Sequence, residues 1–146
     1  MTSQILLGTL YLSLSTLFHV AVVAVSLAFL PKLDHKVENL RRASRNCVIL
    51  MFGLISIVFA LTVQIWFWAA VYFRAGAFED FSTSFYFATV TFTTLGYGDL
   101  VLGPALRIFA TFGAVTGLLS FGISTAFLIG LINRLIPLSR ETHQDH

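Results

Sequence analysis

Residues 93–99 read Thr-Thr-Leu-Gly-Tyr-Gly-Asp and lie between two long apolar segments. Gly96 and Gly98 alternate there with Leu95 and Tyr97, and glycine adopts positive φ angles without steric cost. A lone Gly-Tyr-Gly indicates only a turn between helices. The full run Thr-Leu-Gly-Tyr-Gly-Asp between apolar segments is more specific, and it predicts a loop that enters a membrane and returns.

The residues of this loop are of the types that an ion filter requires. A K⁺ filter replaces the hydration shell of the ion by rings of backbone carbonyls from four loops around one axis. Thr94 offers a hydroxyl in addition to its carbonyl. The side chains of Leu95 and Tyr97 are expected to point away from the axis and to set the width of the loop. The predicted ion-binding residues are Thr94, Leu95, Gly96, Tyr97 and Gly98, with K⁺ at the first four.

Residues 78–134 resemble the pore domain of tetrameric potassium channels, whose usual filter is Thr-Val-Gly-Tyr-Gly followed by Asp. Leu95 replaces the common Val, which leaves the carbonyl unchanged. Tyr97 keeps the aromatic residue that non-selective cation channels lose. The resemblance implies a homotetramer in a lipid bilayer, with K⁺ as the permeant ion and one extra N-terminal transmembrane helix.

The composition places the chain among membrane proteins. Of its 146 residues, 57% are hydrophobic and 11% are charged, against about 25% charged in soluble domains. The single cysteine, Cys47, excludes an internal disulfide bond. The net charge of +2 does not indicate nucleic-acid binding, because the basic residues cluster beside the apolar segments. No nucleotide-binding or catalytic motif is present, so we expect neither an enzyme nor an organic cofactor.

Three apolar segments reach the roughly 20 residues that cross a bilayer. They comprise residues 5–30, 48–73 and 108–136. Pro31 is expected to end the first, and Pro104 fits the first turn of the third. Residues 81–92 are too few to span, and with Asp80 or Ser82 as N-cap they predict a re-entrant half-helix. The expected fold is an all-α membrane protein with three transmembrane helices, a pore helix and a filter loop, assembled as a tetramer.

The predicted domains are an N-terminal helix with a basic linker, a pore domain and a short tail. They comprise residues 1–46, 47–138 and 139–146. Lys and Arg concentrate in linker 31–46, and Arg134 and Arg140 lie near the C-terminus. The linker and the C-terminus are therefore expected to be cytoplasmic, with the N-terminus and filter mouth outside the plasma or inner membrane. The basic linker is expected to form either a short amphipathic helix on the membrane surface or a solvated loop. A retained first helix is preferred to a cleaved signal, because its apolar run is long and no basic residue precedes it.

The resemblance also implies residues that support the filter. Asp99 is expected to accept a hydrogen bond from Tyr86 on the pore helix; the alternative is a solvated residue at the pore mouth. Val90 stands where some relatives have a glutamate that pairs with this aspartate, so that pair cannot form. The hydroxyl of Thr93 is expected to bond free helix carbonyls or the filter backbone.

The third segment contains a possible gating hinge. Gly117 falls where related inner helices have a hinge, although a packing role is the equal alternative. The predicted cavity lining is Leu118, Phe121 and Thr125, and Ser124 is assigned to the same lining.

Two isolated polar residues, His19 and Gln64, lie inside apolar segments. Either His19 bonds a neighbouring helix as a neutral side chain, or it senses a stimulus. The first helix is expected to pack outside the second. An aromatic belt at the outer membrane surface is expected from Trp66, Trp68 and Tyr72.

Two alternatives to a K⁺ channel remain from the sequence. One is a weakly selective cation channel, because Leu95 alters the packing of the filter. The other is a non-conducting transporter or regulatory subunit. No helix has arginines at every third residue, so no voltage sensor is expected. No soluble partner domain is evident.

Overall fold

The three predicted spans and the half-helix are all present as helices in the computed structural model, which describes residues 2–135. The four helices are α1 (Thr2–Lys36), α2 (Arg42–Arg74), α3 (Phe81–Phe92) and α4 (Pro104–Leu135). Helices α1, α2 and α4 are long and apolar enough to cross a membrane. Within residues 2–135 there is no strand. The chain is therefore an all-α membrane protein; the predicted end of the third span at Ile136 and the tail 139–146 lie outside the described residues.

The start of α3 follows the sequence prediction, with Asp80 rather than Ser82 as the N-cap. The Oδ1 atom of Asp80 accepts the backbone N–H of Thr83 at 2.7 Å, and Oδ2 accepts the Thr83 hydroxyl at 2.6 Å. These bonds stabilise the carboxylate and lower the pKa of Asp80. The cap fixes where the chain turns into α3, the helix that leads into the pore loop, residues 93–99.

The predicted end of the first helix at Pro31 is wrong, because α1 continues through this proline to Lys36. Proline removes one N–H donor, a loss that membrane helices tolerate. Arg45 binds Asp34 through Nε at 2.6 Å and a terminal nitrogen at 2.8 Å, which joins the last turn of α1 to the first turn of α2. The linker is therefore not a separate surface helix, because most of residues 31–46 belong to α1 and α2. The expected solvated loop is confined to residues 37–41, which are largely exposed.

Helix α1 packs against both α2 and α4, and not only on the outside of α2 as expected. The ring of Tyr11 lies 5.9 Å from that of Phe67 on α2 and 5.7 Å from that of Phe109 on α4. A Cβ atom on Gly8 would overlap the Phe112 ring. The first helix is thus part of the core that holds α4.

Aromatic residues form the core on the side of the pore loop. Trp68 and Tyr72 have no exposed surface, so assigning them to an interfacial belt is wrong; Trp66 is 53% exposed. Trp68 and Tyr72 are four residues apart and share one face of α2, whereas Trp66, two residues before Trp68, lies on a different face. The buried core cluster consists of Trp68, Ala69, Tyr72, Phe87, Ala88, Phe92, Leu102, Phe109 and Ala110. A second apolar cluster, built from α1, α2 and α4, holds the opposite end.

Candidate functional site: the pore loop

The pore loop, residues 93–99, has a backbone whose φ angle is positive at every second position. The φ angles are 59° at Thr94, 54° at Gly96 and 78° at Gly98. Thr94 is the non-glycine residue with positive φ among those described. This conformation is unusual for a β-branched residue and costs of order 1–3 kcal/mol. The glycines were predicted to supply positive φ; the strain at Thr94 was not.

The last carbonyls of α3 hold the loop in this conformation. The Val90 carbonyl accepts the N–H of Leu95 at 3.0 Å and that of Gly96 at 3.3 Å, and the N–H of Thr94 donates to the Thr91 carbonyl at 3.0 Å. The final carbonyls of a helix lack intrahelical donors, so a chain that turns back over the helix end can supply them. The sequence drew attention to Val90 only for its missing carboxylate; the role of its carbonyl was missed.

The structure brings the predicted pair Tyr86 and Asp99 together. The Tyr86 hydroxyl donates to Asp99 Oδ2 at 2.7 Å, and the N–H of Leu100 donates to Oδ1 at 3.0 Å. The bond to Asp99 raises the pKa of the Tyr86 phenol. The geometry connects α3 to the end of the loop, while the contribution of this bond to the filter stays a prediction.

Thr93 belongs to the end of α3. It is the C-cap of this helix, and its hydroxyl donates to the Thr89 carbonyl at 2.8 Å. Of the two partners expected for this hydroxyl, the structure shows the helix carbonyl.

A single copy of the chain leaves the loop uncovered. Leu95 is 54% exposed and Tyr97 is 67% exposed. A Cβ atom added to Gly96 or Gly98 would meet no atom of the same chain within 4 Å. The loop is therefore held from behind by α3 and is open on its other sides.

The inner helix α4 meets the end of α3 at Gly117. A Cβ atom there would overlap the carbonyl oxygen of Phe92 and lie 2.7 Å from its carbonyl carbon. Backbone atoms cannot move aside as the end of a flexible side chain can, so the contact needs glycine. The structure thus provides the packing role expected as one alternative, and the hinge role stays a prediction.

The three predicted lining residues share an exposed face of α4, and Ser124 does not. Leu118 is 65% exposed, Phe121 is 40% exposed, and Thr125 is also exposed. Ser124 is buried and hydrogen-bonded to His19, so its assignment to the lining is wrong. Residues 121 and 125 are one turn apart, whereas 124 and 125 point in different directions. The bond also shows that His19 contacts a neighbouring helix, as one of its two interpretations expected.

A family model described as "Ion channel" matches residues 47–134, which include most of α2, all of α3, the pore loop and nearly all of α4. No curated protein and no solved structure matches the chain. The family match covers more than half of the 146 residues. By its sequence, therefore, the chain belongs to this ion channel family.

Proposed function

We propose that the protein is a potassium-selective channel, in which four copies of the pore loop surround one axis and K⁺ is the permeant ion. The observation that carries the proposal is the alternation of positive φ at Thr94, Gly96 and Gly98. In an ordinary strand successive carbonyls point to opposite sides. A φ angle of opposite sign at every second residue allows successive carbonyls to face the same side, as a carbonyl-lined filter requires.

The openness of the loop supports a homotetramer. One loop covers one side of an ion, so a ring of carbonyls requires further copies in closed symmetry. The exposed side chains of Leu95 and Tyr97 are apolar surface that neighbouring copies would cover. The exposed face of α4, with Leu118, Phe121 and Thr125, would then line the cavity below the filter.

The position of α3 supports a cation as the permeant ion. A helix C-terminus carries about half a negative charge, and α3 ends at the start of the pore loop. In four copies the four C-termini would point toward one cavity. Their combined field would stabilise a cation there, while the carbonyl geometry of the filter would select K⁺.

The decisive experiment records single channels of the purified protein in a bilayer with K⁺ on one side and Na⁺ on the other. The proposal expects a reversal potential far from zero, of the sign that opposes K⁺ flow. A reversal potential near zero would indicate the weakly selective cation channel instead. Absence of current from correctly assembled protein would indicate a non-conducting membrane subunit.

We also propose that residues 37–41 lie in the cytoplasm and that the filter mouth and N-terminus lie outside, since the five basic residues of linker 31–46 oppose translocation. In a Cys47→Ser background, Ala77→Cys and Thr2→Cys should react with an impermeant thiol reagent added to intact cells. Asn39→Cys should be protected. Labelling at Asn39 with protection at Ala77 would invert the orientation and contradict it. Loss of the Thr2 signal alone, in a shortened chain, would show a cleaved first segment.

A further inference from the structure

Five buried polar residues form a continuous hydrogen-bond network between the three long helices. They are Ser15 and His19 on α1, Gln64 on α2, and Ser120 and Ser124 on α4. None of the five is more than 5% exposed. Polar groups at membrane depth are costly unless they pair with one another. We call these five residues the polar network.

The geometry of Gln64 determines which atoms donate. Its Nε2 lies 3.0 Å from the backbone carbonyl of Ser15 and 3.0 Å from the hydroxyl oxygens of Ser15 and Ser120. A carbonyl only accepts, so the amide nitrogen must face Ser15. The amide oxygen therefore faces His19 Nδ1, at 2.9 Å, and must accept a hydrogen from it.

This arrangement assigns the remaining ring nitrogen. With its hydrogen on Nδ1, a neutral His19 has an unprotonated Nε2, which accepts the Ser124 hydroxyl at 3.1 Å. Both ring nitrogens are then hydrogen-bonded, Nδ1 to Gln64 on α2 and Nε2 to Ser124 on α4. His19 is the link by which α1 holds the inner helix at Ser124.

The network lies directly behind the face of α4 that we assign to the ion pathway. Ser120 and Ser124 are buried against α1 and α2, whereas Leu118, Phe121 and Thr125 are exposed on other faces of the same turns. Gly117 fixes α4 against α3 one turn before Ser120. The helix is thus held next to the filter by backbone contact and immediately afterwards by hydrogen bonds.

We propose that His19 and Gln64 are positioning residues for gating: they hold α4 in the described arrangement, and the contact between His19 and Ser124 breaks when the pore changes between open and closed. Hydrogen bonds depend steeply on distance and angle, so a small displacement of α4 costs this contact while apolar packing around it adjusts. The proposal rests on membership of the ion channel family and on α4 as the inner helix. It does not require K⁺ selectivity.

The test is a double-mutant cycle on the open-to-closed ratio in single-channel recordings. Ser124→Ala and His19→Leu should each shift this ratio in the same direction by about 3- to 20-fold, the range expected for hydrogen bonds between membrane helices. The double variant should shift it little more than the larger single change, because both substitutions remove the same contact. Each ratio is measured with whichever cation the wild-type channel conducts, so a failure of K⁺ selectivity is seen separately in the reversal potential.

Two amide variants distinguish the bond at Nδ1 of His19 from the bond at its Nε2. His19→Asn keeps a donor near the Nδ1 position, and so the bond to Gln64, but loses the bond to Ser124; it should behave like Ser124→Ala. His19→Gln places its amide near the Nε2 position and should shift the ratio less. These variants also replace His19→Leu should that variant fail to assemble.

The matched control is Ser26→Ala on α1. Ser26 is equally buried, at 5% exposure, but its hydroxyl donates at 2.8 Å to the Val22 carbonyl of its own helix. It should leave the open-to-closed ratio unchanged. The proposal is overturned by an unchanged ratio in Ser124→Ala and His19→Asn, or by independent, additive shifts, even where the melting temperature of the purified protein falls.

Discussion

The pore loop and the polar network are both built from polar groups between the long apolar helices, yet they are held by different bonds. In the loop, backbone N–H groups of residues 94–96 donate to carbonyls of the adjacent helix α3. In the network, side chains from three helices meet over sequence separations of 45 to 105 residues. The loop is therefore a local structure, whereas the network exists only after α1, α2 and α4 have packed.

Substitutions are therefore expected to act differently in the two regions. The loop depends on which residues tolerate its φ angles, so replacing one atom at a glycine should change function without unfolding the protein. The network and the aromatic core depend on packing, so their substitutions should alter the relative positions or the stability of the helices.

The largest effect is expected at the filter glycines. Gly96→Ala and Gly98→Ala should each abolish selective K⁺ flux while insertion and expression remain near normal. A β-carbon at positive φ is strained, and in four copies it would also crowd the ring of backbone carbonyls around the axis. Selective flux is measured by reversal potential and single-channel conductance.

A control separates strain from position. Gly76 lies in the turn before α3, also with positive φ (68°) and with nothing within 4 Å of an added Cβ. Gly76→Ala carries the same kind of backbone strain away from the pore loop, and it should retain selectivity. Normal K⁺ selectivity in both filter variants would remove the filter assignment.

The next effect is expected at Gly117, where the loop region and the inner helix meet. Gly117→Ala should lower the free energy of unfolding by about 1–3 kcal/mol, as overpacking does, because the new methyl group overlaps the Phe92 carbonyl. Thermal unfolding of the purified protein measures this loss. Gly122→Ala is the control, since its Cβ would enter open space on the same helix.

The same pair of variants distinguishes the two roles of Gly117. A hinge without a packing role predicts unchanged stability in Gly117→Ala, together with slower or incomplete gating. A packing site predicts lower stability. Equal stability of the Gly117 and Gly122 variants would therefore contradict the packing interpretation.

The sequence predicts those parts of the structure that local composition determines. The half-helix at residues 81–92, its Asp80 cap and the three long helices follow from apolar length, capping residues and turn residues. The end of α1 was misjudged because proline usually stops a helix. The helix continues past Pro31, and its last turn is bonded to α2 through Asp34 and Arg45, a contact between two helices that local composition does not reveal.

The parts that were missed depend on contacts between distant segments. Trp68 and Tyr72 have the composition of an interfacial belt, and only their packing against Phe87 and Phe109 shows that they are core. The orientation of Ser124 toward His19 depends on the rotation of α4 about its axis. A nearly uniformly apolar helix gives no periodic signal for that rotation, because both its core and its lipid faces are apolar.

The smallest effect is expected where the loop meets solvent, at the bond between Tyr86 and Asp99. Tyr86→Phe keeps the aromatic volume and removes only the hydroxyl that donates to Asp99 at 2.7 Å. Asp99 Oδ1 still accepts the N–H of Leu100, and the carboxylate remains exposed to water, so the fold should be unaffected. The expected change is functional: faster loss of conduction during sustained opening, or an altered ratio of Rb⁺ to K⁺ permeability. Asp99→Asn removes the charge while keeping an acceptor for the hydroxyl, so it should produce a weaker form of the same change. Wild-type behaviour in both variants would show that the bond does not support the filter, and that the bonds from the pore loop to the last carbonyls of α3 suffice.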